Sequence, residues 1–161
     1  MNKAVFLDRD GVINREMGEY TFRESDFHFN EGIEKALRTL QERGFLIIVI
    51  TNQGGIAKGI YSREDVERLH RLMTRHLEKH GIHLTGIYYC PHHSDIEACL
   101  CRKPGTLLLE KALSRFHIDR SQSFFIGDHE RDMQSAEEAG IRGIRITPNQ
   151  NLETVLHRIG Q

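Results

Sequence analysis

The sequence predicts an α/β fold with a doubly wound, mostly parallel sheet that carries helices on both faces. Short apolar runs alternate along the chain with amphipathic segments of helical periodicity, as in a repeated β-α order. The run 45–50 is apolar at every position, which is typical of a parallel strand that is covered on both faces. Because we find no linker or repeat, we expect residues 1–161 to form a single domain.

The predicted elements follow one another regularly. We expect the first strand to lead into a helix that Asn30 caps and Gly44 ends. A second helix begins after Ser62, and Asp65 three residues later completes the pattern of a capping box. The strands are predicted at 4–7, 45–50, 86–90, 123–126 and 143–146, and three further helices at 106–116, 132–139 and 152–159.

The balance of charge limits the kinds of partner. The chain has 22 Lys and Arg against 23 Asp and Glu, a formal net charge of -1, so we expect no nucleic acid partner and no membrane-binding face. No apolar stretch approaches the ~20 residues that a membrane span needs. We therefore expect a cytoplasmic protein, and a monomer, whose ligand is a small molecule.

Polar residues follow the predicted strands at the edge where an open parallel sheet binds its ligands. Asp8 and Asp10 come directly after the first strand, and because side chains alternate along extended backbone, both can point into one crevice. One carboxylate can then attack a substrate while the other moves a proton, which indicates phosphoryl transfer. Gly11 lets the chain turn away. The alternative is a strand that ends in a solvated acidic turn.

A phosphate monoester carries two negative charges, so a carboxylate nucleophile near it needs cations and N–H donors. Asp8 and Asp128, from different strands, can share a Mg²⁺ ion, and Asp132 can orient them. Thr51, where its strand ends, offers a hydroxyl and a backbone N–H to the phosphoryl oxygens. Lys103, just before a helix, can supply a fixed positive charge, although a single lysine is more often a solvated surface residue.

All three cysteines lie within the loop 90–101, where Cys-x-His is followed by Cys-x-Cys. Three cysteines cannot all pair in disulfides, and this spacing predicts a tetrahedral Zn²⁺ site. We expect Cys90, His92, Cys99 and Cys101 to bind the ion, with His93 as the competing ligand. Four protein ligands leave no open coordination position, so we expect the zinc to be structural. Thiols without a metal are the alternative.

Before this loop, three histidines lie close together near the end of a predicted helix. His76 and His80 are one helical turn apart and His83 follows, a spacing that can bind a metal. Histidines at a polar helix end are more often solvated, so the sequence alone assigns them no role.

Four motifs together resemble those of the haloacid dehalogenase (HAD) superfamily phosphatases, in the same order: Asp8-x-Asp10-Gly11, Thr51, Lys103-Pro104 and Gly127-Asp128. The resemblance implies a Mg²⁺-dependent mechanism with an aspartyl-phosphate intermediate. It implies that Asp8 is the nucleophile, that Asp10 acts first as acid and then as base, and that Thr51 and Lys103 hold the phosphoryl group. It also implies that Asp8, the main-chain carbonyl of Asp10, and Asp128 coordinate the metal.

Within that superfamily, the segments 8–14, 51–57, 88–93 and 99–104 are similar to the heptose bisphosphate and histidinol phosphate phosphatases. The substrate implied is a small phosphorylated sugar or a related metabolite. The resemblance places Asn52 with the phosphate-binding residues and implies substrate contacts from Glu16, Met17, Gly18, Glu19, Gln53, Gly54 and Arg102. Two departures from the pattern matter. His129 stands where the pattern has Lys, which bears on a second cation, and the segment between His92 and Cys99 is closer to the shorter length of the histidinol phosphate type, which bears on the substrate.

The spacing of the predicted elements leaves no room for a separate cap domain, so we expect an open site. Two other classes of protein remain as alternatives. A phospho-accepting receiver domain shares the fold class and has acidic residues, Thr and Lys around Mg²⁺, but its acidic pair and its acceptor usually lie on different strands, and it has no zinc loop. A zinc-ribbon-like interaction module would need a basic binding face, which the composition does not show.

Overall fold

The computed structural model describes residues 1–160, and its centre is one five-stranded sheet. All neighbouring strands pair in parallel, in the order β3-β2-β1-β4-β5. This confirms the predicted parallel sheet. The strands are β1 (Lys3–Leu7), β2 (Phe45–Asn52), β3 (Leu84–Cys90), β4 (Phe124–Gly127) and β5 (Arg142–Arg145).

Helices cover both faces of the sheet, as the uniformly apolar strands predicted. Val5, Leu7 and Val49 belong to one buried cluster, whereas Phe6 and Ile48, their neighbours in the strands, belong to the other. The helices are α1 (Ile33–Glu42), α2 (Arg63–Lys79), α3 (Leu107–Arg115) and α4 (Glu130–Glu138), with 3-10 helices at Glu24–Asp26, Arg120–Gln122 and Leu152–Arg158. None of these described helices combines the length and the apolar character that crossing a membrane requires.

The start of α1 differs from the prediction. Its N-cap is Gly32, at a φ of 79°, and no side chain caps the helix there, so the prediction for Asn30 was wrong. Asn30 is buried instead, and its Nδ2 donates to the main-chain carbonyls of Val12 and Asn14 at 3.1 and 3.3 Å. The side chain that could have capped the helix therefore ties the loop after β1 to the start of α1.

Other helix ends follow local hydrogen bonding. The capping box of Ser62 and Asp65 is confirmed. Helix α4 begins at residue 130, two residues before the predicted start. The Asp132 side chain accepts a hydrogen bond from the N–H of the N-cap residue His129, which stabilises this earlier first turn. The predicted last helix is a 3-10 helix, and the Asn151 side chain accepts from the backbone of its second residue.

The architecture places the carboxyl ends of β1, β2 and β4 side by side at the middle of the sheet. Three loops extend beyond this edge, at residues 8–32, 53–62 and 91–106, and the only regular element that they contain among the described residues is the 3-10 helix Glu24–Asp26. Side chains from these loops therefore surround the strand ends and form a crevice above them.

Candidate active site

Four charged side chains meet beneath this crevice. Asp8 follows β1, Asp128 follows β4, and the carboxylate oxygens of Asp8, Asp128 and Asp132 lie within 4.8 Å of one another. The Nζ of Lys103 lies 3.1 Å from Asp8 Oδ1 and 2.7 Å from Asp132 Oδ1, and it donates to the main-chain carbonyl of Ile50 at 2.8 Å. All four charged side chains are buried. Three carboxylates thus face one ammonium group.

Burial and the surplus of negative charge raise the pKa values of two carboxyl groups in the cluster. Burial raises the pKa of Asp8 to about 7, against the pull of Lys103 and with the help of Asp132. Burial, reinforced by Asp132, also raises the pKa of Asp128. The buried Oδ1 of Asp128 has no hydrogen-bond partner among residues 1–160. Grouped carboxylate oxygens with one unpartnered member fit a hard divalent cation, which would compensate the surplus charge.

The absence of a side chain at Gly11 leaves room for the carboxylate of Asp128. The residue has a φ of 83°, as the predicted sharp turn requires, and a Cβ at this position would collide with the carboxylate of Asp128. The turn after β1 and the carboxylate after β4 therefore fit together only when this position has no side chain.

Asp10 lies in a different environment from Asp8. Its Oδ1 accepts from Arg9 Nε and Nη2 at 3.1 and 2.9 Å and from Asn14 Nδ2 at 2.9 Å, and its Oδ2 accepts from Gln53 Nε2 at 3.1 Å. Burial alone would raise the pKa of Asp10, but the Arg9 guanidinium and these hydrogen bonds outweigh it and lower the pKa. The carboxylate is therefore held in one orientation toward the crevice.

Arg9 is itself held by hydrogen bonds to two other residues, which the sequence did not predict. It is fully buried, its Nη2 donates to the carbonyl of Thr21 at 2.9 Å, and its Nη1 lies 3.2 Å from His70 Nε2. Burial and the Arg9 charge lower the pKa of His70 to about 3, so the ring is neutral and accepts this hydrogen bond. His70 thus positions Arg9, and Arg9 positions Asp10. No local pattern marks a contact between residues 61 positions apart.

The predicted phosphate-binding residues lie together. Thr51 is buried where β2 ends, and the Nζ of Lys103 donates to the carbonyl of the residue before it, Ile50. Asn52 holds the backbone of Lys103 from both sides, since its Oδ1 accepts from the Lys103 N–H at 2.9 Å and its Nδ2 donates to the Lys103 carbonyl at 3.2 Å. In the structure Asn52 therefore links the end of β2 to the lysine.

Gln53 links the two strand ends that carry the predicted chemistry. Its Nε2 donates to Asp10 Oδ2 at 3.1 Å and to Thr51 Oγ1 at 3.0 Å. The hydroxyl of Tyr61 donates to Gln53 Oε1 at 2.7 Å, which fixes the orientation of the amide. The structure places Gln53 as a connector as well as a residue of the crevice wall.

The crevice has a volume of about 260 Å³ and a mostly polar wall. Of the predicted substrate contacts, five line it and two do not: Met17 and Gly18 lie outside, and Met17 is 47% exposed. Thr51 and Lys103 are buried and are not among the residues that line the crevice. The lining residues are Asp8, Asp10, Glu16, Glu19, Tyr20, Thr21, Asn52, Gln53, Gly54, His93, Arg102, Asp128, His129 and Arg131.

Glu16 is fixed by a residue from the far end of the chain. Asn149, which adopts a φ of 66°, accepts from the Glu16 N–H at 2.7 Å and donates to the Glu16 carbonyl at 2.9 Å. Its own N–H donates to the carbonyl of Gly11 at 2.8 Å. Asn149 therefore ties the loop that contributes Glu16 to the turn after β1. Asparagine tolerates the left-handed region, and this was the one signal that the sequence carried for it.

Two arginines add positive charge to the wall. Arg102 Nη1 donates to the carbonyl of His92 at 3.2 Å. Arg131, in the first turn of α4, lines the crevice, and its buried Nε has no hydrogen-bond partner in the part of the chain that the structure describes. His129 stands in the predicted lysine position, but Arg131 brings a cation to the same wall. The position of Arg131 shortly after Gly127-Asp128 was a signal in the sequence for this cation.

The cysteine cluster has the spacing of a tetrahedral metal site. The Sγ atoms of Cys90 and Cys99 are 3.7 Å apart, and His92 Nδ1 lies 3.6 Å from Cys90 Sγ and 3.2 Å from Cys101 Sγ. Four ligands at Zn–S and Zn–N bond lengths are separated by about 3.3–3.8 Å. His93 is not part of the cluster, and its ring lines the crevice instead. The four predicted ligands therefore fit one ion.

Comparisons with known proteins agree with this geometry. Residues 100–158 match the family model described as HAD-hydrolase-like. The D-glycero-beta-D-manno-heptose-1,7-bisphosphate 7-phosphatase of Haemophilus ducreyi is 42% identical over 87% of this chain and 80% of its own length. The D-glycero-alpha-D-manno-heptose-1,7-bisphosphate 7-phosphatase of Campylobacter jejuni is also 42% identical, over 86% of this chain and 78% of its own.

Solved structures show the same relationship. The D,D-heptose 1,7-bisphosphate phosphatase of B. bronchiseptica, complexed with magnesium and phosphate, superposes with a TM-score of 0.86 at 28% identity, covering 98% of this chain and 87% of that one. A HAD-like phosphatase structure from Mesorhizobium loti has a TM-score of 0.82 at 28% identity over 88% of this chain and 71% of that one. The chain therefore belongs to the HAD phosphatase family that contains the D-glycero-D-manno-heptose-1,7-bisphosphate 7-phosphatases.

Proposed function

We propose that this protein is a Mg²⁺-dependent phosphatase that removes the 7-phosphate of D-glycero-D-manno-heptose 1,7-bisphosphate through an aspartyl-phosphate intermediate. The observation that carries the proposal is the buried cluster in which Asp8, Asp128 and Asp132 face Lys103, directly under a polar crevice. The family relationship agrees with this choice of substrate. We further expect the enzyme to act as a cytoplasmic monomer with no nucleic acid or membrane partner.

The side chains of Asp8 and Asp128 and the main-chain carbonyl of Asp10 would hold Mg²⁺. When bound, the ion would offset the repulsion between the Asp8 carboxylate and the phosphate of the substrate. Lys103 supplies the second cation, and Asp132 keeps it in place through the 2.7 Å ion pair. Because burial alone favours a protonated Asp8, added positive charge is what returns this residue to the ionised form that a nucleophile needs.

In the first step, an Asp8 oxygen forms a bond to phosphorus while the bond from phosphorus to the sugar oxygen breaks. Asp10, oriented by Arg9, gives its proton to the leaving oxygen. In the second step, Asp10 takes a proton from water, the water oxygen bonds to phosphorus, and Asp8 is released together with inorganic phosphate. Negative charge on the bound phosphate opposes Arg9 and raises the pKa of Asp10, which favours its protonated form in the first step.

The side chains in the crevice wall favour a substrate that carries a second anionic group. Arg102 and Arg131 are suited to a phosphate at the other end of the sugar, because a guanidinium donates two parallel hydrogen bonds. Glu16 and Glu19 offer acceptors for sugar hydroxyls. We also propose that Cys90, His92, Cys99 and Cys101 bind a structural Zn²⁺, which shapes the loop that contributes Arg102.

A substrate panel tests this function. Phosphate release is measured with the α and β anomers of heptose 1,7-bisphosphate, with histidinol phosphate and with an aryl phosphate, with and without Mg²⁺. We expect the highest kcat/KM for one heptose anomer, and the panel decides which one, since relatives named for both anomers are equally similar. A preference for histidinol phosphate would overturn the substrate, and full activity in chelator would overturn the metal.

A further inference from the structure

Three side chains with metal-binding atoms meet between α1 and α2, outside the crevice. Glu34 lies in the first turn of α1, His76 in the last turn of α2, and His80 is the residue that ends α2. One carboxylate oxygen and two imidazole nitrogens from these residues lie within 4.8 Å of one another. None of the three side chains lines the crevice, so the proposed phosphatase reaction makes no use of them.

The ring of His80 is arranged as a metal ligand would be. Its Nδ1 lies 2.9 Å from the main-chain carbonyl of His76, and a carbonyl only accepts, so this nitrogen carries the proton. The lone pair of the ring is then on Nε2. Histidines that bind metals typically donate their other ring N–H in this way, which fixes the tautomer and the orientation of the ring.

His76 and Glu34 are also held in place. The ring of His76 stacks on Phe29 with centroids 3.9 Å apart, and its Nε2 lies 2.8 Å from Glu34 Oε1. The rings of His76 and His80 lie side by side, 4.6 Å between centroids. Arg38 of α1 donates to the carbonyl of His80 at 3.0 Å, which fixes the end of α2 against α1. The backbone positions of all three groups are therefore set before any ion binds.

We propose that Glu34, His76 and His80 form a zinc site that clips α1 to α2. Ligand atoms in a tetrahedral zinc site with bonds of 2.0–2.2 Å are about 3.3–3.6 Å apart. Small rotations of these side chains would widen the 2.8 Å between His76 Nε2 and Glu34 Oε1 and bring His80 to the same spacing. Two imidazoles and one carboxylate suit Zn²⁺, whereas Mg²⁺ prefers oxygen ligands. Three protein ligands leave the fourth position to water.

The test counts zinc ions and compares two histidine variants. Zinc binding to the wild type, to His80→Gln and to His83→Gln is measured by equilibrium dialysis and by calorimetry at saturating Mg²⁺. His83 is the matched control because it is also an exposed histidine near the end of α2 but lies outside the cluster. All three proteins keep the same cysteines, so a difference between them is independent of whether the cysteine cluster binds zinc.

We expect wild type and His83→Gln to bind one zinc more than His80→Gln, whose affinity for that ion falls at least about tenfold. Added zinc should raise the melting temperature of the wild type above that of His80→Gln, while phosphate release by the two proteins stays the same. The proposal is overturned if His80→Gln binds as much zinc as the wild type. It is also overturned if His83→Gln loses the same ion, since that loss would place the ligands elsewhere.

Discussion

The strand-end cluster and the cysteine loop are positioned by different means. Asp8 and Asp128 follow two strands whose pairing, for example Phe6 with Phe125, is continuous with the core of the sheet. The loop 91–106 contains no helix or strand, and its Ile96 and Leu100 are 59% and 77% exposed. Backbone hydrogen bonds thus place the cluster. The loop has little apolar burial, so we expect its shape to depend on the proposed zinc site.

Lys103 and Arg102, two adjacent cations in this loop, are also anchored by different means. The Asn52 side chain anchors both backbone groups of Lys103 to the end of β2, and ion pairs with Asp8 and Asp132 anchor the lysine side chain to the cluster. Among the described residues, the Arg102 side chain donates a hydrogen bond only to the carbonyl of His92, a residue of the loop itself. We infer that the chemistry depends on the sheet and that the choice of substrate depends on the loop.

The largest effect is expected from Asp8→Asn. The amide is nearly isosteric but is a poor nucleophile, so kcat should fall by at least about 10⁴-fold while the fold is kept. Steady-state kinetics and circular dichroism measure the two properties. Glu138→Gln, an exposed carboxylate at the end of α4, is the control and should keep its activity. Activity like that of the wild type in Asp8→Asn would refute the mechanism.

Arg102→Ala and Lys103→Ala should separate specificity from chemistry. Loss of the Arg102 contact should lower kcat/KM for the heptose bisphosphate by about 10–100-fold and change little for an aryl phosphate without a second anionic group. Lys103→Ala should lower both rates by at least about 100-fold, because the phosphate that is cleaved loses its fixed cation. If Arg102→Ala reduces both substrates equally, Arg102 serves the transferred phosphate instead.

Cys99→Ser tests the loop directly. We expect it to lose the bound zinc and to melt roughly 10 °C lower than the wild type, a loss of about 3 kcal/mol. Activity toward the heptose bisphosphate should fall more than activity toward an aryl phosphate, because Arg102 loses its support while Lys103 keeps its own. Ser94→Ala, an exposed change in the same loop, should alter neither property. Metal analysis that finds no zinc in the freshly purified wild type would contradict the assignment.

A smaller effect concerns pH and the metal-free protein. The pKa of Asp8 is raised from 3.8 to about 7, so between these values the folded state binds more protons than the unfolded state, and stability falls as pH rises. We expect the melting temperature without Mg²⁺ to drop by several degrees from pH 5 to pH 8. Added Mg²⁺ should raise the melting temperature more at pH 8 than at pH 5. The drop should be smaller in Asp8→Asn, and an equal drop in both proteins would assign it to other groups.

The sequence predicted the parts of the site that local spacing determines. Asp8 and Asp10 share one strand end, and the ligand set around Cys90 and Cys101 lies within one short loop, so both patterns are legible without the fold. The parallel sheet followed from its apolar runs. The prediction for Asn30 was wrong because its side chain donates to main-chain carbonyls at the start of the loop 8–32 instead of capping a helix end.

The supports of the site depend on long-range packing and could not be predicted. His70 reaches Arg9 from 61 positions away, and Asn149 reaches Glu16 from 133 positions away. No motif marks such pairs, because only the packing of α2 and of the segment after β5 brings them to the loop that follows β1. Residues that act directly on a ligand were therefore easier to find than the residues that position them.

Trapping the intermediate tests the central claim most directly. The enzyme is mixed with Mg²⁺ and heptose 1,7-bisphosphate, quenched in acid during turnover, digested and analysed by mass spectrometry. We predict that the peptide containing Asp8 gains the mass of one phosphoryl group on that residue and that the gain is absent from Asp8→Asn. A phosphoryl group on any other residue, or continued turnover in Asp8→Asn, would contradict the account.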